Sequence, residues 1–205
     1  SFSFNVNEVA YLNDTRALIG QYFGKAPIEN KPRQNGQTLV LCSTEVARTF
    51  AREFGSTVYE KRVPQYIRHA SLDVLAEWVR GIWRGDGSYD ERKNMFRYNT
   101  VSRELAYAFR DALLRLGVAA SVNLQEREAP RQPMYAVIIS SPWNERFGEI
   151  VGRPAPNGRQ SGSPFHLDEQ YLYMPIRAVA IEEVNATVYN FSVEEDESYV
   201  CEGVV

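Results

Sequence analysis

Between Leu75 and Ser88 the chain reads LAEWVRGIWRGDGS, and Val74, Leu75, Trp78, Val79, Ile82 and Trp83 recur every three or four positions. That is the period of one helix face, and Ser71 and Asp73 stand at the capping and first-turn positions of such a helix. The pattern predicts a largely buried helix. Gly81 and Gly85 fall on one face of it, where missing side chains let a second helix backbone approach closely. Asp86 then sits at a helix–helix seam. A second carboxylate brought there could not stay ionised beside it without a divalent cation. On these residues alone, the GDG also reads as an ordinary turn closing a core helix.

Elsewhere the pattern alternates, and one order of elements occurs twice. FSFNVN (Phe2 to Asn7) leads into a helical run ending at Gly24, then TLVLCS (Thr38 to Ser43), then a short helix closing at Phe54–Gly55. FRYNTV (Phe96 to Val101) leads to Gly117, then YAVIIS (Tyr135 to Ser140), then a helix closing at Phe147–Gly148. Leu105, Phe109, Leu113 and Leu116 form a stripe that packs a helix on a sheet. This predicts αββαββα-like halves, present twice. Phe2, Phe4 and Val6 alternate with Ser3, Asn5 and Asn7, as Phe96, Tyr98 and Thr100 do with Arg97, Asn99 and Val101. One sheet face is therefore apolar and the other largely polar. A polar β-surface fits the major groove, where Asn pairs with adenine and Arg with guanine. Ser3, Asn5, Asn7, Arg97 and Asn99 are candidate readers, and equally the residues any solvated sheet face carries. Lys31, Arg33, Lys93, Arg127 and Arg131 are expected in hairpin loops, placed to meet phosphates.

With 205 residues, 44% of them hydrophobic, the chain can bury the core of one domain, or of one plus a small appendage. Its 23 basic and 26 acidic residues leave a net charge of −3. That excludes coating of nucleic acid through bulk charge but not groove recognition through a local basic face. Cys42 and Cys201 lie in apolar runs and read as buried thiols, which points to a reducing compartment. No apolar run is long enough to span a bilayer and the opening residues lack targeting character, so the expectation is a cytoplasmic chain with no membrane partner.

After GRPAPNGRQSGSP (Gly152 to Pro164), a linker-like stretch, the character changes near Leu167. Ile176 to Ile181, Val188 to Val193 and Ser198 to Val205 are predicted strands of a β-meander.

The nonapeptide VRGIWRGDG (Val79 to Gly87) resembles the LAGLIDADG motif of homing endonucleases, with Gly81, Ile82, Gly85, Asp86 and Gly87 at matching positions. Arg84 stands where the motif has its first aspartate. The resemblance implies that Asp86 is a metal ligand, for Mg2+ or another divalent cation, and that Gly81 and Gly85 pack the motif helix against a second one. EKRVPQYI (Glu60 to Ile67) resembles the linker between the halves of such enzymes, which implies that Lys61 lies beside the scissile phosphate and stabilises its growing charge. VYNFSVEEDESYVCEGVV resembles the C-terminal block of inteins, although Glu197 occupies the place of a frequent catalytic histidine and no His–Asn pair follows.

Together these resemblances imply an α+β protein with the duplicated LAGLIDADG endonuclease fold, its halves related by a pseudo-two-fold axis with saddle-shaped antiparallel sheets. The implied organisation is a first half over 1–60 lacking its motif helix, a linker over 61–70, a second half over 71–166 and incomplete splicing-domain strands over 167–205. The first motif helix is expected immediately before Ser1, and the sequence as it stands is expected to be inert in splicing. The implied activity is metal-dependent hydrolysis of double-stranded DNA by a monomer carried in an intein, with the flanking exteins of a host protein as further partners. The alternative is a degenerate LAGLIDADG protein, a regulator or maturase, that binds DNA or RNA without cutting.

Overall fold

The computed structural model of the chain describes residues 1–33, 35–155, 166–168, 171–173, 175–176 and 178–187, without the side chains of 31–33 and 166–167. Its contacts divide it into two units, Ser1–Arg52 and Glu53–Val205.

The first unit is built from β1 (Phe2–Asn5), α1 (Val9–Phe23), β2 (Ile28–Arg33), β3 (Gly36–Val40) and α2 (Thr44–Phe54), whose last residues pass into the second unit. The strands form an antiparallel sheet in the order β1-β3-β2. Alternation along β1 holds: Phe2 and Phe4 are half-buried, Ser3 and Asn5 exposed. Leu39, opposite Phe2, is fully buried, and Leu12 and Ile19, two turns apart on α1, complete this small core. The strand is shorter than its alternation predicts. Asn5 accepts the Asn7 N–H through its side-chain oxygen at 3.0 Å, and Glu8 accepts the Asn5 N–H at 2.7 Å. These local bonds curl the chain into α1 and leave Asn7 in a turn.

The second unit contains α3 (Gln65–Arg68), α4 (Leu72–Asp86), β4 (Gly87–Asp90), β5 (Met95–Thr100), α5 (Arg103–Arg115), β6 (Ser121–Gln125), β7 (Met134–Ile139) and α6 (Asn144–Val151). Its antiparallel sheet runs β4-β5-β7-β6. Strand, helix, two strands and helix therefore recur, with β5-β7-β6 repeating the order β1-β3-β2, and β4 is an added neighbour that follows α4. Leu75, Val79 and Trp83 of α4 and Leu105, Phe109 and Leu113 of α5 bury against Phe96, Tyr98, Val137 and Ile139 of the sheet and Phe147 of α6. Each such side chain contributes roughly 1.5–3 kcal/mol on burial. Trp83 meets Phe96 and Phe147 edge-on, with ring centroids 5.7 and 6.1 Å away.

Four expectations are corrected. First, α4 is buried on one face and not all round. Val74, Gly81 and Gly85 are exposed, and a Cβ added at either glycine would meet nothing within 4 Å. The second helix expected to pack on Gly81 and Gly85 is the one placed before Ser1, outside this sequence. Second, α6 does not close at Gly148. It runs on to Val151 and ends at Gly152 (φ 69°), while Gly148 serves a close approach: its Cβ would lie 2.6 Å from the Arg153 carbonyl. Third, Cys42 is exposed, because β3 ends at Val40 and the cysteine falls in the loop beyond it; Cys201 lies outside the described residues. Fourth, no strand forms over the described part of Ile176 to Ile181, where Ile176, Val179 and Ile181 are 81%, 79% and 96% exposed. Alternation without a pairing partner does not hold a strand. The pairing in this region is instead β8 (His166–Leu167) with β9 (Leu172–Tyr173). The expected strands over Val188 to Val193 and Ser198 to Val205, with Glu197, lie outside the described residues, as does most of the Gly152–Pro164 linker. No described helix is long and apolar enough to cross a membrane.

The two flanks of the motif helix should respond oppositely to a methyl group. A Cβ at Gly87 would lie 2.3 Å from Trp83 Cδ1 and 2.4 Å from the Trp83 carbonyl oxygen. Gly87→Ala is therefore expected to lower stability by about 1–3 kcal/mol through overpacking. Gly81→Ala, in an open helix interior, should raise it by about 0.5–1 kcal/mol. Urea unfolding checks both, and a common sign for the two variants would contradict this account of the junction.

Candidate active site and nucleic-acid interface

Asp86 is the last residue of α4, and Gly87 turns the chain directly into β4, with its N–H returning to the Trp83 carbonyl. Because position 87 is pressed against the indole, the carboxylate is carried out of the core and its side chain is 61% exposed. A carboxylate at a helix C-terminus adds to the negative end of the helix dipole, so a cation beside it is favoured. Lys61 supplies one. Its Nζ lies 3.8 Å from Asp86 Oδ2, beyond hydrogen-bond range, and both side chains are open to solvent. Such a contact contributes little to stability and leaves the carboxylate oxygens accessible.

The backbone around Lys61 is held much more firmly than its ammonium group. Gly55 has φ 90°, and a Cβ there would run into the Glu60 carbonyl at 2.1 Å, so the loop entering Lys61 closes only over glycine. The Arg62 N–H reaches the Phe54 carbonyl at 3.1 Å, and Val63 is buried. The Ser102 hydroxyl donates to the Lys61 carbonyl at 2.5 Å. Further along, Arg68 donates to the Val63 carbonyl at 3.1 Å and to Glu104 at 2.8 Å, while Arg115 donates to the carbonyls of Arg68 and Ala70. The segment read as a linker is thus strapped along α5.

Tyr98 completes the surroundings of Asp86, and the sequence reading treated it only as an apolar-face residue. It stands opposite Gly87 in the β4–β5 ladder and is 2% exposed. Burial, and after it the Asp86 charge, push its phenol well above the ordinary tyrosine range, partly offset by a hydrogen bond with Thr100. Strand parity measured from the GDG would have found it.

A hard divalent cation such as Mg2+ is held by one or two carboxylates together with water and phosphate oxygens. Asp86, accessible and loosely paired, fits as one oxygen ligand. The described residues contain no cluster of three or more His, Cys, Asp or Glu side chains that would hold a metal by themselves.

On the sheet face away from the core, the register aligns Ser88, Arg97, Ile138 and Ser121 in one row and Asn99, Ala136 and Asn123 in the next. Gln125, opposite Met134, lies one row further on. Asn99 Oδ1 is buried without a partner, an acceptor left unused on this face. Ser88, Ser121, Asn123 and Gln125 were missed, although the alternation in SVNLQ carries the signal. In the first unit Ser3 faces Thr38, their hydroxyls 3.5 Å apart, and Asn5 uses its oxygen on the turn that holds Asn7. Lys93 lies in the β4–β5 turn, where its N–H reaches Asp90 at 3.2 Å, and Arg127 and Arg131 lie in the β6–β7 loop, as expected of hairpin cations. Lys31 and Arg33 fall within β2 and not in its turn, and their side chains lie outside the described part.

Residues 73–152, from α4 to α6, match the family described as a LAGLIDADG-like domain. The antiparallel architecture of the chain is that of the LAGLIDADG endonuclease fold. A structure of mesophilic variants of the homing endonuclease I-DmoI aligns with a TM-score of 0.55 at 12% identity, covering 73% of this chain and 76% of that one. I-DmoI in complex with its target DNA in the presence of Mg aligns at 0.54 and 13% identity, covering 73% and 77%. Among curated relatives, the ATP-dependent DNA helicase Hel308 of Thermococcus kodakarensis is 28% identical over 209 residues, 97% of this chain and 19% of that protein. A SufBD-family iron–sulfur cluster assembly protein of Mycobacterium tuberculosis is 26% identical over 210 residues, 98% of this chain and 23% of that protein. The chain thus spans about a fifth of the length of the curated relatives it matches.

The raised phenol of Tyr98 has a consequence for alkaline stability. A group whose folded pKa lies above its unfolded value stabilises the fold below the unfolded value, near 10, and that contribution is lost as pH rises through the folded value. Tyr98→Phe is therefore expected to flatten the fall in urea midpoint between pH 9 and pH 11, roughly the span around the unfolded value where the loss begins. An unchanged slope in the variant would show that the phenol does not titrate against burial.

Proposed function

We propose that this chain is the endonuclease part of an intein, a site-specific enzyme that hydrolyses phosphodiesters in double-stranded DNA. The observation that carries the reading is the meeting of Lys61 Nζ and Asp86 Oδ2 at the end of α4, in a unit whose sheet presents a polar face. The order of halves, EKRVP segment and intein-like tail supports the intein context. So does the sharing of one stretch of this length by a helicase and an iron–sulfur assembly protein, each over less than a quarter of its length. A segment common to proteins of unrelated named activity behaves as an inserted element.

The polar sheet faces read base edges in the major groove while hairpin cations meet phosphates and set the register. Asp86 provides an oxygen ligand for a divalent cation, which when bound would activate water and neutralise phosphate charge. Lys61 sets its side-chain cation against a non-bridging phosphate oxygen, where negative charge grows during hydrolysis. Tyr98, held neutral by burial, takes no proton from water and closes the inner wall behind Asp86.

Selection of cleaved molecules from a randomised duplex library, with the full-length parent chain and MgCl2, tests this reading and supplies a substrate. Asp86→Asn is expected to abolish cutting while binding survives, and Lys61→Ala to slow it by about a hundredfold. Parental cutting by Asp86→Asn would remove the carboxylate from the mechanism. A parent that binds the duplex without cutting would leave the regulator or maturase reading, which the single carboxylate found at this site among the described residues favours.

Recognition and splicing have separate tests. Asn99→Ala and Asn123→Ala should each cost about 1–3 kcal/mol at a defined base pair, and affinity should fall steeply with salt. Loss spread evenly over all sequences would make the face a non-specific one. Mass spectrometry of the parent precursor should find its flanking segments ligated to each other. A precursor that never yields that product would separate the endonuclease from any intein.

A further inference from the structure

Ser102 stands where three elements meet and is 1% exposed. Its hydroxyl oxygen accepts the Leu105 N–H at 3.1 Å, which caps α5, and its proton goes to the Lys61 carbonyl at 2.5 Å. Its own N–H donates to the Thr100 hydroxyl at 3.2 Å, and that hydroxyl is hydrogen-bonded to Tyr98, the phenol that senses the Asp86 charge. An N-cap uses only the acceptor side of a serine hydroxyl. The single proton is left over, and here it grips the backbone of the lysine whose ammonium group faces Asp86. The remaining straps act on either side of this point: Arg62 holds the loop before it, and Arg68 and Arg115 hold the chain after Val63.

We propose that Ser102 is a positioning residue for DNA cleavage, whose hydroxyl donates to the Lys61 carbonyl and so sets where the Lys61 ammonium group stands beside Asp86. This rests on Lys61 and Asp86 forming the cleavage centre. Small displacements of a charge-stabilising group weaken it where transition-state charge develops, with little effect on ground-state binding.

The test is a double-mutant cycle in the full-length parent chain, reading the single-turnover cutting rate and the dissociation constant on the selected duplex with MgCl2. Ser102→Ala and Ser102→Gly are expected to slow cutting about tenfold without weakening binding, and Ser102→Thr, which keeps the hydroxyl, to cut near the parental rate. Glycine retains most of the capping value of serine, so a loss shared by Ala and Gly follows the missing donor and not the helix cap. In a Lys61→Ala background the Ser102→Ala change should add less than about twofold. A full tenfold effect on top of Lys61→Ala, or a Ser102→Gly variant that cuts at the parental rate, overturns the proposal while leaving the cleavage centre intact. So does a rate loss confined to variants whose unfolding midpoint falls below the assay temperature. Parental cutting by Lys61→Ala, or no cutting by the parent, overturns the centre and this proposal with it.

Discussion

The closest constraint in the second unit is the contact between Trp83 and the backbone at Gly87. The indole occupies the space a side chain at position 87 would need, and the Trp83 carbonyl takes the Gly87 N–H. Its Nε1 is buried without a hydrogen-bond partner, which costs about 1–3 kcal/mol. Packing against Phe96 and Phe147 offsets that cost. The consequence is geometric: α4 ends abruptly, β4 begins at once, and Asp86 at the corner is pushed outward while its backbone stays fixed to the core.

The charged pair at this corner is assembled from parts held for different reasons. Asp86 is placed by the helix–strand junction, whereas Lys61 is placed by a tight glycine loop before it and by Ser102, the cap of α5, and Arg115 of α5, which donate to carbonyls of its segment. The Ser102 bond to the Lys61 carbonyl is short and partly buried; the Lys61–Asp86 contact is long and solvated. Firm supports around a loose, accessible pair leave both charges open to other partners, because a tight buried ion pair would have to be broken first.

The repeated strand order, β1-β3-β2 and β5-β7-β6, gives both units a sheet of the same topology. In the second unit α4, α5 and α6 pack on one sheet face, and β4 widens the sheet on the side where α4 ends. Short polar side chains stand in adjacent rows, with Ala136 between Asn99 and Asn123, and of these Asn123 is exposed while the Asn99 side-chain oxygen is buried.

Much of this was legible in the chain. The period of residues 74–83 determined α4, the alternation in FSFN and FRYNT determined β1 and β5 with their two faces, and the duplicated order of elements survives as a duplicated strand order, because local periodicity is what helices and strands need to bury one side. The GDG spacing likewise set Asp86 at the helix end. What the sequence did not contain was contact between distant residues. That Lys61 meets Asp86, that Ser102 holds the Lys61 backbone, that Tyr98 stands opposite Gly87, and that Asn123 shares a face with Asn99 all depend on register and packing. Local signals also overran their limits, as at Asn7, where side-chain oxygens of Asn5 and Glu8 end the strand, and at Ile176 to Ile181, where alternation finds no neighbour among the described residues. A side chain's period is a property of its own segment, while its partner is chosen only when the segments pack.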